Sequence, residues 1–451
     1  MVAMNLLIHN AEIFTNDEKN TLLAGQAAVI AGSRIIEIGE ASAMRKKHPE
    51  AERLDGRGRL LMPGLINAHM HFYGTYARGL ALKGTPKNFH EILQMLWWKL
   101  DSALDAEAVY YSALVPAITA IKKGVTAVID HHASPNAVEG SLDRIEAALA
   151  LAGLRGILCY EVSDRDGQEI SRKGLQENER YIRKCRSEKQ KNPDHLFDAM
   201  MGLHASFTLD DDSLQQAGEI SRTLQRGCHI HLLEDEVDYQ LTQEKYHANL
   251  IDRLCEYGIL GPQSIAAHGI HLTESEKDIL AQTGAMVAHN PQSNMNNAVG
   301  RTDIFGLLKR GVLAGIGSDG MSADLRPDIR AAHLLHKHDL KNSNLGWQEI
   351  QQMALKNNPE IYRRISGQPV GKIAPGYLAD LILIDYDPPT PMTPENFWGH
   401  FLFGIADAPV NTTIVNGRIV MQNGELPGID EAKIAAESRK VAERVWNRFQ
   451  S

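Results

Sequence analysis

Cysteine is scarce in this sequence. The four cysteines, Cys159, Cys185, Cys228 and Cys255, are widely spaced and form no C-x-x-C pair. This usage suits the reducing cytoplasm and offers no thiolate metal site. We therefore predict a cytoplasmic protein whose chemistry, if it involves a metal, uses other ligands.

Long apolar runs and basic blocks are also missing. No apolar run approaches the roughly 20 residues that a membrane helix needs, and the start, "MVAMNLLIHNAEIF", lacks the features of a secretory signal. The formal net charge of -9 without a sustained basic block argues against a nucleic-acid binder. We expect neither a membrane nor a nucleic acid as a partner.

The chain of 451 residues is long enough for one large domain and a smaller one. Short β-like runs occupy residues 1–60 and return in residues 366–430, which predicts one small β-sandwich built from both segments. Between them, in residues 61–365, eight short apolar strands alternate with helical segments. This alternation predicts an α/β fold of the (β/α)8 barrel type, followed by a C-terminal helix in residues 431–451.

Histidine, by contrast, is abundant, with 19 copies. The active site of a (β/α)8 barrel lies at the C-terminal ends of its strands. All eight predicted strands end in histidines or carboxylates: His69 and His71, His131 and His132, Glu161, His204, His231 and Glu234, His268, His289, and Asp319.

We predict that His69, His71, His231 and Asp319 bind a metal ion. Alternate residues of a strand face the same way, so His69 and His71 can act together. Three imidazoles and one carboxylate leave a position for water, whose pKa a metal ion can lower to about 7. Taken singly, Asp319 fits a turn or a helix cap and His231 fits a core histidine. Their joint occurrence at separate strand ends favours the metal site.

Two further residues are candidates for the chemistry. Glu234, three residues after His231, can transfer protons, and Asp319 can assist it, although Glu234 also fits a solvated acid within "EDEVD". His268 in "AAHGIH" can polarise the attacked atom or stabilise negative charge.

Several motifs resemble those of the amidohydrolase superfamily: "PGLINAHMH", "HIHLLEDE", "AAHGIHLTESE", "AHNPQSNMNNAVG" and "GIGSDG". They are most similar to the branch of cytosine deaminase, guanine deaminase and triazine chlorohydrolase. Within it, "LWWKLD", "IDHHASPN" and "CYEVSDRDG" resemble the SsnA group of aminohydrolases.

The resemblance implies the same four metal ligands, with Glu234 and His268 as proton-transfer and polarising residues. Binuclear members carry a lysine on strand four, where "MGLHASF" has His204, so one divalent ion per subunit is expected. Zinc is the first choice, and iron or manganese also suits this ligand set. The resemblance further implies a homo-oligomer.

Substrate contacts are predicted at several positions, each with an alternative. His204 is either a contact or a buried structural histidine, and Glu161 either meets a ring nitrogen or pairs with Arg165. His132 is a candidate, but the sequence leaves open whether it or His131 faces inward. Ser293 and Asn294 resemble a family pair that orients a loop or binds substrate.

The tryptophans of "HEILQMLWWKL" are interpreted differently. Leu93, Trp97, Leu100 and Leu104 form a helical stripe, which predicts that Trp97 is core. Trp98 lies off that stripe, where it either covers a flat heterocycle or packs at an interface.

The predicted function is therefore metal-dependent hydrolysis of a nitrogen heterocycle such as a purine, pterin or pyrimidine, most simply by deamination. A chlorohydrolase or a cyclic-amide hydrolase would use the same residues, and a non-catalytic scaffold of the same fold is a distant alternative. "GIGSDG" also matches G-x-G-x-x-G, but it lies on the eighth strand rather than in an N-terminal βαβ unit, so we reject dinucleotide binding.

Overall fold

The structure is a computed structural model that describes residues 5–451. Its strands are β1 (Asn5–His9), β2 (Glu12–Phe14), β3 (Leu22–Leu23), β4 (Gln26–Ala31), β5 (Arg34–Glu40), β6 (Glu52–Asp55), β7 (Leu60–Pro63), β8 (Leu65–Met70), β9 (Val125–His132), β10 (Arg155–Tyr160), β11 (Phe197–Ala199), β12 (Met201–Ala205), β13 (Cys228–Leu232), β14 (Ile265–His268), β15 (Met286–His289), β16 (Ala314–Ile316), β17 (Leu381–Ile384), β18 (Val410–Val415) and β19 (Arg418–Met421).

The α-helices are α1 (Ala41–Lys47), α2 (Phe89–Ile92), α3 (Trp98–Ser102), α4 (Ala106–Lys122), α5 (Ser141–Ala152), α6 (Gln168–Lys191), α7 (Asp211–Thr223), α8 (Glu236–Tyr246), α9 (Leu250–Glu256), α10 (Glu274–Thr283), α11 (Pro291–Asn296), α12 (Ile304–Lys309), α13 (Arg326–Asp339), α14 (Trp347–Gln352), α15 (Asn358–Ser366), α16 (Phe397–Phe403) and α17 (Glu431–Gln450). Two π-helical turns occupy Leu93–Trp97 and Met353–Asn357, and short 3-10 turns occupy Phe72–Ala77, Ser206–Thr208 and Ile405–Asp407. Within residues 5–451, none of these helices is both long and apolar enough to cross a membrane.

Two β-sheets lie outside the barrel strands; the N-terminal segment forms the first alone, and both ends of the described chain contribute to the second. One sheet has the strand order β5-β4-β1-β6, and the other has the order β19-β18-β17-β7-β2-β3. The central pair of the second sheet is antiparallel and joins β7 to β17 across most of the sequence. Apolar side chains of both sheets, including Ile8, Ile13 and Leu383, form one core. The sequence predicts such a composite unit, whereas the exact division at residues 60, 365 and 430 stays a prediction.

The strands between these segments form the barrel. Strands β8 to β11 pair in parallel, as do β12 to β16, and β11 and β12 together form the fourth strand, interrupted at Met200. Parallel bridges from Val162 to Leu203 and from Met70 to Asp319 link the two groups. The second of these bridges lies at the C-terminal edge, beside the predicted ligands.

Gly64 divides a run that the sequence presents as one strand, "LLMPGLINAHMH". Its first half is β7 in the sandwich and its second half is β8 in the barrel. A Cβ atom at Gly64 would lie 2.2 Å from a side-chain carbon of Thr126. Only glycine permits this close approach, so the chain can pass from one sheet to the other here.

Side chains facing the barrel axis change from apolar to polar toward the C-terminal ends. On β9 the inward positions are Ala127 and Ile129, whose apolar side chains join those of Ile157 and Met286 in the lower core. Continuing the alternation brings His131 to the same face. The barrel therefore has an apolar floor and a polar upper layer.

Candidate metal centre and active site

The four side chains predicted as metal ligands meet at the C-terminal end of the barrel. His71 Nε2 lies 3.0 Å from Asp319 Oδ1 and 3.1 Å from His231 Nε2, and His69 Nε2 lies 3.6 Å from Asp319 Oδ1. Bonds of 2.0–2.1 Å in a tetrahedral zinc site separate neighbouring ligand atoms by about 3.3 Å. These three spacings are close to that value, and the assignment of the four side chains as the ligands of one cation stays a prediction.

The hydrogen bonds of these imidazoles leave the required nitrogens free. His71 Nδ1 contacts the main-chain oxygen of His131, and His231 Nδ1 contacts that of His204 at 3.0 Å. A carbonyl oxygen only accepts, so in the neutral ring each Nδ1 carries the hydrogen and each Nε2 keeps a lone pair. His69 Nε2 is buried and has no hydrogen-bond partner within residues 5–451. Three lone pairs directed toward one carboxylate are donors that could hold a metal ion.

The charge of Asp319 dominates the electrostatics of the centre. Burial alone would raise the pKa of Asp319, but the neighbouring imidazoles of His69 and His71 hold it well below its usual range. Burial alone would likewise lower the pKa of His71, but Asp319 raises it to about 9. A metal ion at this centre therefore competes with a proton for the same imidazole nitrogen.

Glu234 and His268 lie together beside the four predicted ligands. His268 Nε2 is 3.4 Å from Glu234 Oε2 and 3.8 Å from Asp319 Oδ2. Asn297 donates to Glu234 Oε1 at 3.3 Å, and Asn294 accepts from His268 Nδ1 at 2.8 Å. Burial, followed by the charge of Asp319, raises the pKa of Glu234 well above its usual range. A carboxyl group in this position can hold and transfer a proton.

Backbone strain is concentrated at the same place. Leu233, His268 and Asp319 have φ values of 47°, 73° and 54°, in the left-handed region that non-glycine residues rarely adopt. Each such conformation costs about 1–3 kcal/mol and persists only where surrounding contacts enforce it. One such contact is the hydrogen bond from the Asp319 amide to the His69 carbonyl, at 3.0 Å. This strain directs the side chains of His268 and Asp319 toward the common centre.

A cavity opens above the centre. Aromatic and aliphatic side chains form most of one wall, and carboxylates and histidines form the floor. Its lining residues are His71, Tyr73, Phe89, Leu93, Trp97, Trp98, Glu161, His204, Ala205, Phe207, His231, Glu234, Asp235, Asp238, Ser293, Asn297, Asp319 and Gly320.

Four of the six predicted substrate contacts line this cavity, namely His204, Glu161, Ser293 and Trp98. Asn294 does not, because it is buried behind His268 and binds its Nδ1.

His131 and His132 face opposite sides of β9. His131 Nδ1 lies 3.4 Å from Glu161 Oε2, inside the barrel. His132 is fully buried, contacts the ring of Tyr160 and lies 2.9 Å from Ser134 Oγ through Nε2. The inward position that the sequence left open is therefore that of His131, and His132 lies outside the cavity lining.

Arg165 pairs with Asp101 and Asp166 rather than with Glu161. Its guanidinium lies 5.3 Å from the centroid of the Trp98 ring. Because Asp101 is fully buried, this ion pair fixes the outer side of the aromatic wall. Glu161 is left facing the cavity, with its Oε2 atom without a hydrogen-bond partner among the described residues.

Trp97 is not simply core, as its helical stripe predicts. It packs partly against the core, yet it also lines the cavity. It ends the π-helical turn Leu93–Trp97, which contains an extra residue relative to an α-helical turn. An extra residue rotates the following side chains around the helix axis, and the indole is thereby brought to the cavity wall.

Sequence reasoning missed two residues that contact the predicted machinery. Asn297, which donates to Glu234, gives no local signal in "NMNNAVG". His229, whose Nε2 lies 2.8 Å from His69 Nδ1, could have been found. It precedes His231 by two residues in "CHIHL", so strand alternation puts both on one face.

The amidohydrolase family model matches residues 60–420. A 5'-deoxyadenosine deaminase of Methanosarcina acetivorans is 30% identical over 98% of both chains. A 5-methylthioadenosine/S-adenosylhomocysteine deaminase of Halothermothrix orenii is 29% identical over 98% of this chain and 100% of its own. Among solved structures, an adenosine deaminase of Xanthomonas campestris with bound zinc superposes with a TM-score of 0.84, at 22% identity, over 98% of this chain and 99% of the other.

These matches confirm the predicted barrel fold and the predicted class of activity, hydrolysis of carbon–nitrogen bonds by a metal-dependent enzyme. The finer assignment to the SsnA group stays a prediction. On the evidence of a family model that spans most of its length and of relatives that align from end to end, the chain belongs to the amidohydrolase family.

Proposed function

We propose that the protein is a hydrolytic deaminase of an uncharged, amino-substituted nitrogen heterocycle, with adenine nucleosides as the first class to test. One observation carries this proposal. Glu234 and His268 form an acid–base pair 3.4 Å apart, and His268 lies 3.8 Å from the predicted ligand Asp319. Glu234 and Asp319 line the same aromatic-walled cavity.

We assign the metal site to His69, His71, His231 and Asp319, holding one divalent cation. Zinc suits three imidazoles and a carboxylate, and iron or manganese would be accepted by the same donors. When bound, such a cation supplies Lewis acidity and lowers the pKa of water.

Glu234 is assigned the proton transfers. Its Oε2 atom accepts one proton as water adds to the ring carbon that bears the amino group, and returns it to the adjacent ring nitrogen. Neutral His268 does not donate a hydrogen bond to Glu234, because its one ring hydrogen is on Nδ1 and is donated to Asn294 Oδ1. Its Nε2 lone pair instead orients the proton on Glu234.

The overall reaction balances with water alone. A carbon–oxygen bond forms and the exocyclic carbon–nitrogen bond breaks. One proton of water finishes on the ring nitrogen, and the other leaves with the amino group as ammonia. Glu234 is the carboxyl group in reach of both transfers, so each proton passes through one side chain.

The charge of the cavity supports an uncharged substrate. Among the residues that the structure describes, five carboxylates and no lysine or arginine line it: Glu161, Glu234, Asp235, Asp238 and Asp319. Burial raises the pKa of Glu161 and of Asp238 to about 7 and that of Glu234 well above its usual range, so these carboxyl groups do not form a fixed block of negative charge. A phosphate or carboxylate tail would find no basic side chain to pair with in this lining, whereas an uncharged nucleoside needs none.

The relatives support the choice of heterocycle, since their names describe deaminases of adenine nucleosides. The test is ammonia release from adenosine, 5'-deoxyadenosine, 5-methylthioadenosine, S-adenosylhomocysteine and adenosine 5'-monophosphate by zinc-loaded protein. We expect the three uncharged nucleosides to react, and adenosine 5'-monophosphate to have a lower kcat/KM than adenosine, because no basic side chain of the lining can pair with its phosphate.

A failure would take a distinct form for each part of the proposal. Chloride release from a chlorotriazine, or a ring-opened acid from a hydantoin, without ammonia from any amino heterocycle, would reassign the reaction to the alternatives with the same machinery. Equal rates for adenosine and its monophosphate would refute the charge argument alone.

We also retain the homo-oligomer and the cytoplasmic location as proposals, with the domain boundaries. Light scattering on the purified protein measures its oligomeric state directly. Limited proteolysis checks whether cleavage concentrates near residues 60, 365 and 430.

A further inference from the structure

Two buried residues, His229 on β13 and Cys159 on β10, lie behind the predicted ligand His69. His229 Nε2 is 2.8 Å from His69 Nδ1, and Cys159 Sγ is 3.9 Å from His229 Nδ1. The same sulfur lies 3.4 Å from the main-chain oxygen of Asp130. The three side chains are completely shielded from solvent.

These contacts can form one continuous chain of hydrogen bonds from His69 to the main-chain oxygen of Asp130. A neutral imidazole has one N–H group. If His69 binds a cation through Nε2, its hydrogen is on Nδ1 and is donated to His229 Nε2. The hydrogen of His229 is then on Nδ1 and faces Cys159 Sγ. The thiol hydrogen completes the chain by pointing to the Asp130 carbonyl, which can only accept.

Neighbouring contacts hold His229 in this position. Its ring stacks on that of His131, with centroids 4.5 Å apart and planes 26° from parallel. Its main-chain oxygen lies 3.1 Å from His131 Nε2. A ring clamped in this way cannot flip to present Nδ1 to His69 without breaking several contacts.

We infer that His229 and Cys159 are positioning residues that fix the tautomer and orientation of His69 for metal binding. This inference rests on the proposed role of His69 as a ligand. Such hydrogen-bond acceptors behind a metal-bound histidine are commonly carboxylates or carbonyls. Here an imidazole backed by a thiol fills that position, so the supporting chain is uncharged throughout.

The test measures metal affinity rather than turnover. Zinc dissociation constants are determined by competition with a chromophoric chelator, and the Co²⁺-loaded proteins are compared by their d–d absorption. His229→Leu should weaken zinc binding by about 10- to 100-fold, the usual effect of removing such a partner, and should alter the Co²⁺ spectrum. His229→Gln should retain most of the affinity, because its amide oxygen reaches the position of Nε2 and can accept from His69.

His333→Leu is the matched control. His333 is also buried, but it lies on α13 and binds the main-chain oxygen of Gly346. Its replacement should lower thermal stability without changing the zinc dissociation constant. Should His229→Leu fail to fold, Cys159→Val and Cys159→Ser serve instead, because only serine can continue the hydrogen-bond chain.

The outcomes separate the inference from the proposed function. Zinc binding by His229→Leu equal to wild type, with an unchanged Co²⁺ spectrum, overturns the inference. If His229→Leu does not fold, equal zinc affinity of Cys159→Val and Cys159→Ser also overturns the inference. Wild-type protein that binds neither metal overturns the metal site itself.

Discussion

Glu234→Gln is the change that most directly tests the proposed chemistry. Glutamine keeps the length and shape of glutamate and retains an oxygen for the hydrogen bond from Asn297. Its amide nitrogen can donate toward His268 Nε2, which lies 3.4 Å from Glu234 Oε2. The substitution therefore preserves the local contacts and removes the ability to accept and return a proton.

The expected loss follows from that single deficit. General acid–base catalysis contributes about 10²- to 10⁴-fold, which corresponds to roughly 3–5 kcal/mol of activation free energy. The value of kcat should fall by this factor. KM should change little, and metal content should stay at the wild-type value because Glu234 is outside the predicted ligand set.

The assay is steady-state ammonia release at matched metal content, measured for wild type, Glu234→Gln and Glu236→Gln. Glu236 is the control because it lies in the same acidic run but is exposed to solvent. Its substitution should leave kcat unaltered. Turnover by Glu234→Gln within tenfold of wild type, with metal bound, would refute the assignment of proton transfer to this side chain.

Three further predictions concern stability. Chelation should lower the melting temperature and zinc should restore it, because a ligand at 1,000 times its Kd stabilises the native state by about 4 kcal/mol; identical melting curves would contradict a resident metal. Asp380→Ala should lower the free energy of unfolding, measured by chemical denaturation, by about 3–5 kcal/mol, because it leaves the fully buried Arg155 without the carboxylate 2.8 Å from its Nε. A loss below 1 kcal/mol would mean that the hydrogen bonds of Arg155 to Gln368 and Asn416 are enough to stabilise its buried charge. Burial raises the pKa of Asp328 to about 8, so its contribution to the free energy of unfolding falls as pH rises from about 4 to 8. The difference in unfolding free energy between Asp328→Asn and wild type should therefore shift by about 2–3 kcal/mol in favour of the variant between pH 6 and pH 8.5. A constant difference across that range would disprove the shift.

The predicted ligands could be found from the sequence because two rules act together. Strand ends in a barrel converge at one edge, and histidines two apart on a strand share a face. Those rules need no knowledge of distant contacts. They bring His69, His71, His231 and Asp319 to one region, where His71 Nε2 lies 3.0 Å from Asp319 Oδ1 and 3.1 Å from His231 Nε2.

The side chains that the sequence could not orient lie where its pattern is uniform. Strand β9 is buried on both faces, and its apolar run "AVI" continues across both of them, so the sequence pattern did not show whether His131 or His132 faces the barrel axis. The residues on either side of Gly64 are also buried and mostly apolar, so the sequence did not show that the chain leaves one sheet and enters the other there. Only the "PG" pair at Gly64 carried a turn signal.

Other contacts depend on residues far apart in sequence. Arg165 forms an ion pair with Asp101, 64 positions earlier in the sequence, and therefore does not pair with Glu161. The π-helical turn before Trp98 alters the helical period that predicts a core position for Trp97. Neither feature follows from local propensity, and both shape the wall of the cavity.

The pairing of β7 with β17 has a consequence for synthesis on the ribosome. Strand β7 must wait for a partner whose first residue lies roughly 300 positions downstream, which at 5–20 residues per second is about 15–60 s. During that interval an apolar edge is open to unintended pairing with other nascent chains. Slowing elongation of the distal segment should therefore increase aggregation of newly made protein, even where the finished molecule is stable.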